Sequence, residues 1–151
     1  MENLFNNVVF ISAASGWLIA QILKTFIHMI FAKKFVAERL IGSGGMPSSH
    51  SATVCALATS ACILYGVESF EFAISLILSL IVMYDAMGVR RETGIQAKLI
   101  NEMIEAFAEM GKDNLSPDEK LKEFVGHTPL QVLAGAILGI LIAILLCNIM
   151  V

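Results

Sequence analysis

Two histidines, each placed just ahead of an apolar run, are the residues best suited to chemistry in this chain. The first lies in Gly44-Gly45-Met46-Pro47-Ser48-Ser49-His50-Ser51, followed at once by the small, apolar stretch Ala52 to Tyr65. That stretch reads as a buried helix, so Ser48 to Ser51 fall at its N-terminus. Unsatisfied backbone N–H groups and the positive end of the helix dipole meet there and favour an anion. Gly44 and Gly45 have no Cβ to keep the backbone off a ligand. Ser48 and Ser49 add hydroxyls, and His50 adds a proton donor that works near neutral pH. Phosphate chemistry needs these parts, and an oxyanion is expected at this loop. A plain loop ending in an N-cap serine would use the same residues.

The second histidine lies in Gly126-His127-Thr128-Pro129-Leu130-Gln131. Thr128 suits an N-cap, Pro129 the first helical position, and Gln131 the capping-box partner. Gln131 also lies close enough along the chain to reach the His127 imidazole and fix its tautomer. The spacing allows either role. Between the two histidines comes Tyr84-Asp85-Ala86-Met87-Gly88-Val89-Arg90-Arg91. Arginine's planar fork suits bidentate phosphate binding; the plainer reading makes Arg90 and Arg91 membrane-face anchors that neutralise Asp85. Lys24 and His28 lie one turn apart within the first apolar run. An intramembrane lysine usually faces a cavity or a partner, unless its stem snorkels to the interface.

The elements that must position these groups are membrane helices. The chain has 151 residues, 57% hydrophobic and 15% charged, with a mean hydropathy of +0.78. A soluble domain is nearer ~45–50% apolar and ~25% charged. The expected architecture is therefore all-α: one domain over residues 1–151, an integral membrane helical bundle. A span needs ~20 residues, and four are read: Val8 to Phe31, Ser51 to Val67, Phe70 to Met87 and Pro129 to Met150. The second is short and rich in Ala, Ser and Cys, which suits the packed centre of a bundle. Apolar Ile95, Leu99, Met103 and Phe107 opposite Glu102, Glu105 and Glu109 predict a helical insertion between the third and fourth spans. A short second helix is expected from Ser116-Pro117-Asp118-Glu119.

Lys33, Lys34 and Arg39 follow the first span, and Arg90, Arg91, Lys98, Lys112, Lys120 and Lys122 follow the third. The Gly66–Ser69 link and both termini carry no basic residue. The positive-inside rule then puts both long loops in the cytoplasm and both termini outside. All the polar motifs open on that cytoplasmic face. The expected location is the plasma membrane of a bacterium, as a multi-pass protein. The N-terminus lacks the basic region of a signal peptide, so the first apolar segment is expected to be retained. Cys55, Cys62 and Cys147 lie inside apolar segments without metal-ligand spacing. A net charge of −3 gives a nucleic-acid partner no support. No Asp/Glu/His spacing argues for a metal, and no cofactor is expected.

Pro47-Ser48-Ser49-His50 resembles the Pro-Ser-Gly-His motif of the type 2 phosphatidic acid phosphatase superfamily. Gly126-His127 through Val132-Leu133-Ala134-Gly135 resembles that superfamily's last motif, a histidine followed by an aspartate and a small-residue helix. Together with Ala20-Gln21-x-x-Lys24 and Tyr-Asp-Ala-x-Gly-Val-Arg-Arg, the pattern is similar to the divergent PAP2 family, also labelled acid phosphatase/vanadium-dependent haloperoxidase-related. The resemblance implies that His127 is a nucleophile forming a phosphohistidine and His50 the acid that protonates the leaving group. It implies that Gly44, Gly45, Ser48 and Ser49 hold phosphate oxygens, with Lys24, Arg90 and Arg91 supplying positive charge. Gln131 stands where the superfamily has aspartate, and Leu121 where it has arginine. A neutral amide orients an imidazole but stabilises an imidazolium less than a carboxylate does; Asp85 is the other residue that could take that part.

The expected function is a membrane-embedded phosphatase acting on a lipid phosphomonoester or pyrophosphate at the cytoplasmic face. The alternative is a non-enzymatic membrane protein that binds anionic headgroups or moves a small anion. The partners implied are a lipid phosphate or other phosphorylated substrate and membrane lipids, and a homo-oligomer is compatible with either reading.

Overall fold

The structure, a computed structural model, describes residues 4–32, 45–110, 121 and 126–151. All regular elements among these are helical. After a short 3-10 turn at Leu4–Asn6 come α1 (Val8–Ala32), α2 (Ser49–Tyr65), α3 (Phe70–Met87), α4 (Val89–Glu109) and α5 (Pro129–Met150). Local chemistry sets the helix ends. Ser48 caps α2, and Ser69 caps α3 by accepting the Phe72 N–H at 3.2 Å. Thr128 and Gln131 form the reciprocal capping box of α5, with Pro129 in its first turn. At the other end of α2, Gly66 adopts φ 87° and donates its N–H to the Cys62 carbonyl at 3.0 Å. A positive φ there favours glycine.

α1, α3 and α5 each contain a stretch long and apolar enough to cross a membrane. α2 has 17 residues, and each of those three helices packs on it. α1 also touches α5, whereas α3 and α5 meet only sparsely. Ala52 and Ala56 of α2 are completely buried. A Cβ added to Gly16 of α1 would lie 2.9 Å from the Ala52 carbonyl oxygen, and one added to Gly139 of α5 would strike the same oxygen from another side. Small residues thus let three backbones approach closely, which is how membrane helices pack when lipid is as apolar as leucine. The Ser79 hydroxyl of α3 donates to the Val54 carbonyl of α2 at 2.8 Å. Leu, Ile and Phe side chains of α1, α3 and α5 point outward, the expected surface for lipid.

The succession of antiparallel helices collects the polar motifs at one end. Asn7, Tyr65 and Glu71 line one cavity of about 370 Å³ at the opposite end. One sequence expectation needs correction, and one of two alternatives falls away. The insertion helix starts at Val89, well before Ile95, because Gly88 is the sole interruption after α3. Residues 89–94 carry little apolar periodicity, so pattern reading starts the helix late; arginine and glutamate are nonetheless good helix formers. Arg90 and Arg91 therefore stand in the first turn of α4 rather than in a loop. Lys24 does not snorkel: it is 3% exposed. The expected helix at Ser116 and the basic residues Lys33, Lys34, Arg39, Lys112, Lys120 and Lys122 lie outside the described residues.

Candidate functional site

His127 is held through its backbone and its ring. Its N–H donates to the Ala86 carbonyl at 2.9 Å, tying the approach to α5 onto the end of α3. Gly126, at φ 90°, packs on the Arg90–Arg91 peptide, where any Cβ would overlap the Arg91 backbone. On the ring side, Nδ1 lies 3.2 Å from Gln131 Oε1. That same oxygen accepts the Thr128 N–H at 3.1 Å. A backbone N–H can only donate, so the amide's oxygen, and not its nitrogen, faces both groups. A proton on Nδ1 satisfies that contact and leaves the lone pair of the neutral imidazole on Nε2. Nε2 is buried and has no hydrogen-bond partner among the described residues. The capping contact and the imidazole contact thus meet at a single atom of Gln131.

Burial lowers the pKa of His127 below the ordinary 6.5. The Gln131 hydrogen bond opposes that shift, the charges of His50 and Lys24 add to it, and the nearby Gly45 carbonyl opposes it. The ring is thus biased towards its neutral form near pH 7.

His50 faces His127 with ring centroids 6.0 Å apart and planes at 63°. Its Nδ1 is buried and has no partner among the described residues. The turn before it is fixed from both sides. The Ser48 N–H donates to the Gln131 carbonyl at 3.0 Å, and the Ser48 hydroxyl accepts from the Ser51 N–H at 3.3 Å and the Ser51 hydroxyl at 3.0 Å. Ser48 is completely buried. Its hydroxyl oxygen serves the cap, accepting both of these bonds. Ser49, in the first turn of α2, is buried as well, and the helix start leaves its N–H and that of His50 without intrahelical acceptors. Gly45, at φ 86°, packs on the stem of Lys24: an added Cβ would lie 3.1 Å from Lys24 Cγ and Cδ. Gly44 lies outside the described residues.

Three charged groups border the histidine pair. Lys24 is near enough to act electrostatically on both imidazoles, and Arg90 acts on His50. Asp85 accepts from Arg90 Nε at 2.5 Å, with both side chains partly exposed. This corrects the expectation that Asp85 could orient His127: its carboxylate holds Arg90, and Gln131 holds the imidazole. Arg91 is exposed, and its backbone supports Gly126. Lys24, His50, Asp85, Arg90, His127 and Gln131 thus come from α1, α2, α3, α4 and α5 to one end of the bundle. Sequence reading missed two supports, the Ala86 carbonyl and the contact of Gly126 with the arginine peptide. The glycine directly before His127 was the available signal; the carbonyl had none. Among the described residues, no group of three or more His, Cys, Asp or Glu side chains is arranged to hold a metal ion.

The profile of the Divergent PAP2 family matches residues 5–142, from the first turn well into α5. The chain belongs to the divergent PAP2 family. It is 38% identical over 151 residues to "Uncharacterized membrane protein YuiD" of Bacillus subtilis (strain 168), covering 95% of this chain and 96% of that one. No solved structure matches it. As a member of this family, the chain is a PAP2-related membrane protein, and its histidine pair sits in the two segments that carry the family resemblance.

Proposed function

We propose that the protein is a membrane-embedded phosphatase that hydrolyses a lipid phosphomonoester or pyrophosphate at the cytoplasmic face, through a phosphohistidine on His127. The observation that carries this reading is the buried Nε2 of His127, without a hydrogen-bond partner among the described residues, in a ring whose Nδ1 meets Gln131 and whose centroid lies 6.0 Å from that of His50. Nε2 attacks phosphorus, and the bond from phosphorus to the leaving oxygen breaks. His50 gives that oxygen a proton once it is protonated, against a pKa lowered by burial and by the charges of Arg90 and Lys24. Charge on the equatorial oxygens is met by Lys24, Arg90 and the N–H groups at the start of α2. Water then attacks the phosphohistidine, His50 takes its proton back, and inorganic phosphate leaves with Nε2 restored. The positive charge that develops on the ring is stabilised by the neutral Gln131 oxygen alone, so turnover is expected to be slower than with a carboxylate there.

Phosphate release from phosphorylated lipids by the purified protein tests the reading. Replacing His127 with alanine should abolish release, and His50→Ala should slow it by roughly 10²–10⁴-fold, the usual worth of a positioned acid–base group. Radiolabelled phosphate should be trapped on the wild-type protein in an acid-labile, alkali-stable bond. Release that survives His127→Ala would overturn the assignment.

A further inference from the structure

A groove of about 600 Å³ runs along α3 and reaches α4 at Val89 and α5 at Val132. Leu80, Ile81 and Tyr84 of α3, Val89 of α4 and Val132 of α5 line it, and Asp85 is its charged member. Its volume falls in the range of about 300–1,000 Å³ usual for ligand pockets. Leu80, Ile81, Tyr84 and Val89 are all exposed on the outer surface of the bundle, so the groove opens sideways, where lipid chains lie. Two of its lining residues are chain neighbours of groups that hold His127. Asp85 directly precedes Ala86, whose carbonyl holds the His127 backbone, and Val132 directly follows Gln131, whose side chain holds the His127 ring. Asp85 also holds Arg90, a charge that reaches His50.

We infer that this groove receives the hydrocarbon chain of the phosphorylated lipid, with the phosphate at the Asp85–Arg90 end and the chain lying along Leu80 and Ile81. The inference rests on the proposed phosphatase site and adds the route by which a membrane-dissolved substrate reaches it. A chain in this groove lies along α3 without leaving the bilayer. The contacts are apolar and carry no polar readout, so the site selects for chain length and bulk rather than for a particular backbone chemistry.

The test uses the full-length protein in neutral detergent, with hexadecyl phosphate and inorganic phosphate as probes. Leu80→Trp and Ile81→Trp each place a bulky ring on the exposed wall of the groove, where the fold is not packed. Leu145→Trp, exposed on α5 outside the groove, is the control. The dissociation constant for hexadecyl phosphate should rise about tenfold in the two groove variants, where the indole fills the space that the chain would take, and stay at the wild-type value in the control. The affinity ratio of hexadecyl phosphate to inorganic phosphate should fall in parallel. An unchanged ratio in both groove variants, or an equal loss in the control, overturns the groove. Phosphate release is followed in the same samples: binding that obeys the groove pattern without release upholds the groove and sinks the phosphatase reading.

Discussion

At the scale of single residues, the site turns on one oxygen atom. Gln131 Oε1 accepts from the Thr128 N–H and from His127 Nδ1, so it ends the helix and sets the tautomer together. Gln131→Ala should cost about 0.5–2 kcal/mol of stability through the lost cap and should also lower turnover per folded molecule; undiminished normalised turnover would reduce Gln131 to a cap. The pH profile separates the roles further. His127 must be neutral to attack, and its pKa lies below the ordinary value, so kcat/KM should fall as pH drops through that lowered value. The Gln131 bond raises the pKa. Removing it in Gln131→Ala should therefore move the acidic limb to lower pH, and a carboxylate in Gln131→Glu should move it to higher pH while keeping or raising turnover. A limb that stays fixed in both variants would mean that another group controls it. Asp85→Asn loosens Arg90 and leaves the His127 tautomer alone, so it should raise KM more than it lowers kcat, as steady-state kinetics can show. The two histidines, Asp85 and Arg90 stood out in the sequence because each lies near a helix start or a glycine, and Lys24 because it is a charge inside an apolar run. The division of labour between Gln131 and Asp85 was not, because spacing states which groups can meet and not which competing partner each one takes.

At the scale of elements, the boundaries of α1, α3 and α5 were legible because capping residues and long apolar runs agree there. The start of α4 was hidden because its first turn is charged and carries no apolar period. The close approach of α2 to its neighbours was visible only as small-residue composition; which glycine meets which carbonyl depends on crossing geometry. Gly139→Ala forces a methyl group into the Ala52 carbonyl. It should destabilise the bundle by about 1–3 kcal/mol, the usual cost of overpacking, read as a lower midpoint of thermal unfolding in detergent. Gly135→Ala pushes on the Ser48 carbonyl instead. That residue is bonded to Gln131 and begins the turn that carries His50, so this variant should lose activity beyond what its lost stability explains. Equal losses of activity in both variants, once normalised to folded protein, would show that α5 does not communicate with the His50 turn.

At the scale of the whole molecule, the topology proposal is the simplest to check. A cysteine introduced at Asn114 should resist an impermeant thiol reagent in intact cells and react after permeabilisation; labelling in intact cells would reverse the orientation. The central position of α2 carries a consequence for how the protein is made. Its 17 residues reach only about 26 Å at 1.5 Å each, against a hydrocarbon core of ~30 Å. Its buried face includes Ser49, Ser51 and Ser60, and two of the helices that cover it, α3 and α5, are synthesised later. Alone at the ribosome exit, α2 is a poor candidate for release into lipid. The four-residue link Gly66–Ser69 makes α2 and α3 natural partners for entry as one hairpin. In an insertion assay, α2 fused between soluble reporters should partition poorly, and the α2–α3 pair should insert efficiently. The helix that organises the finished bundle would then be the one least able to enter the membrane unaided.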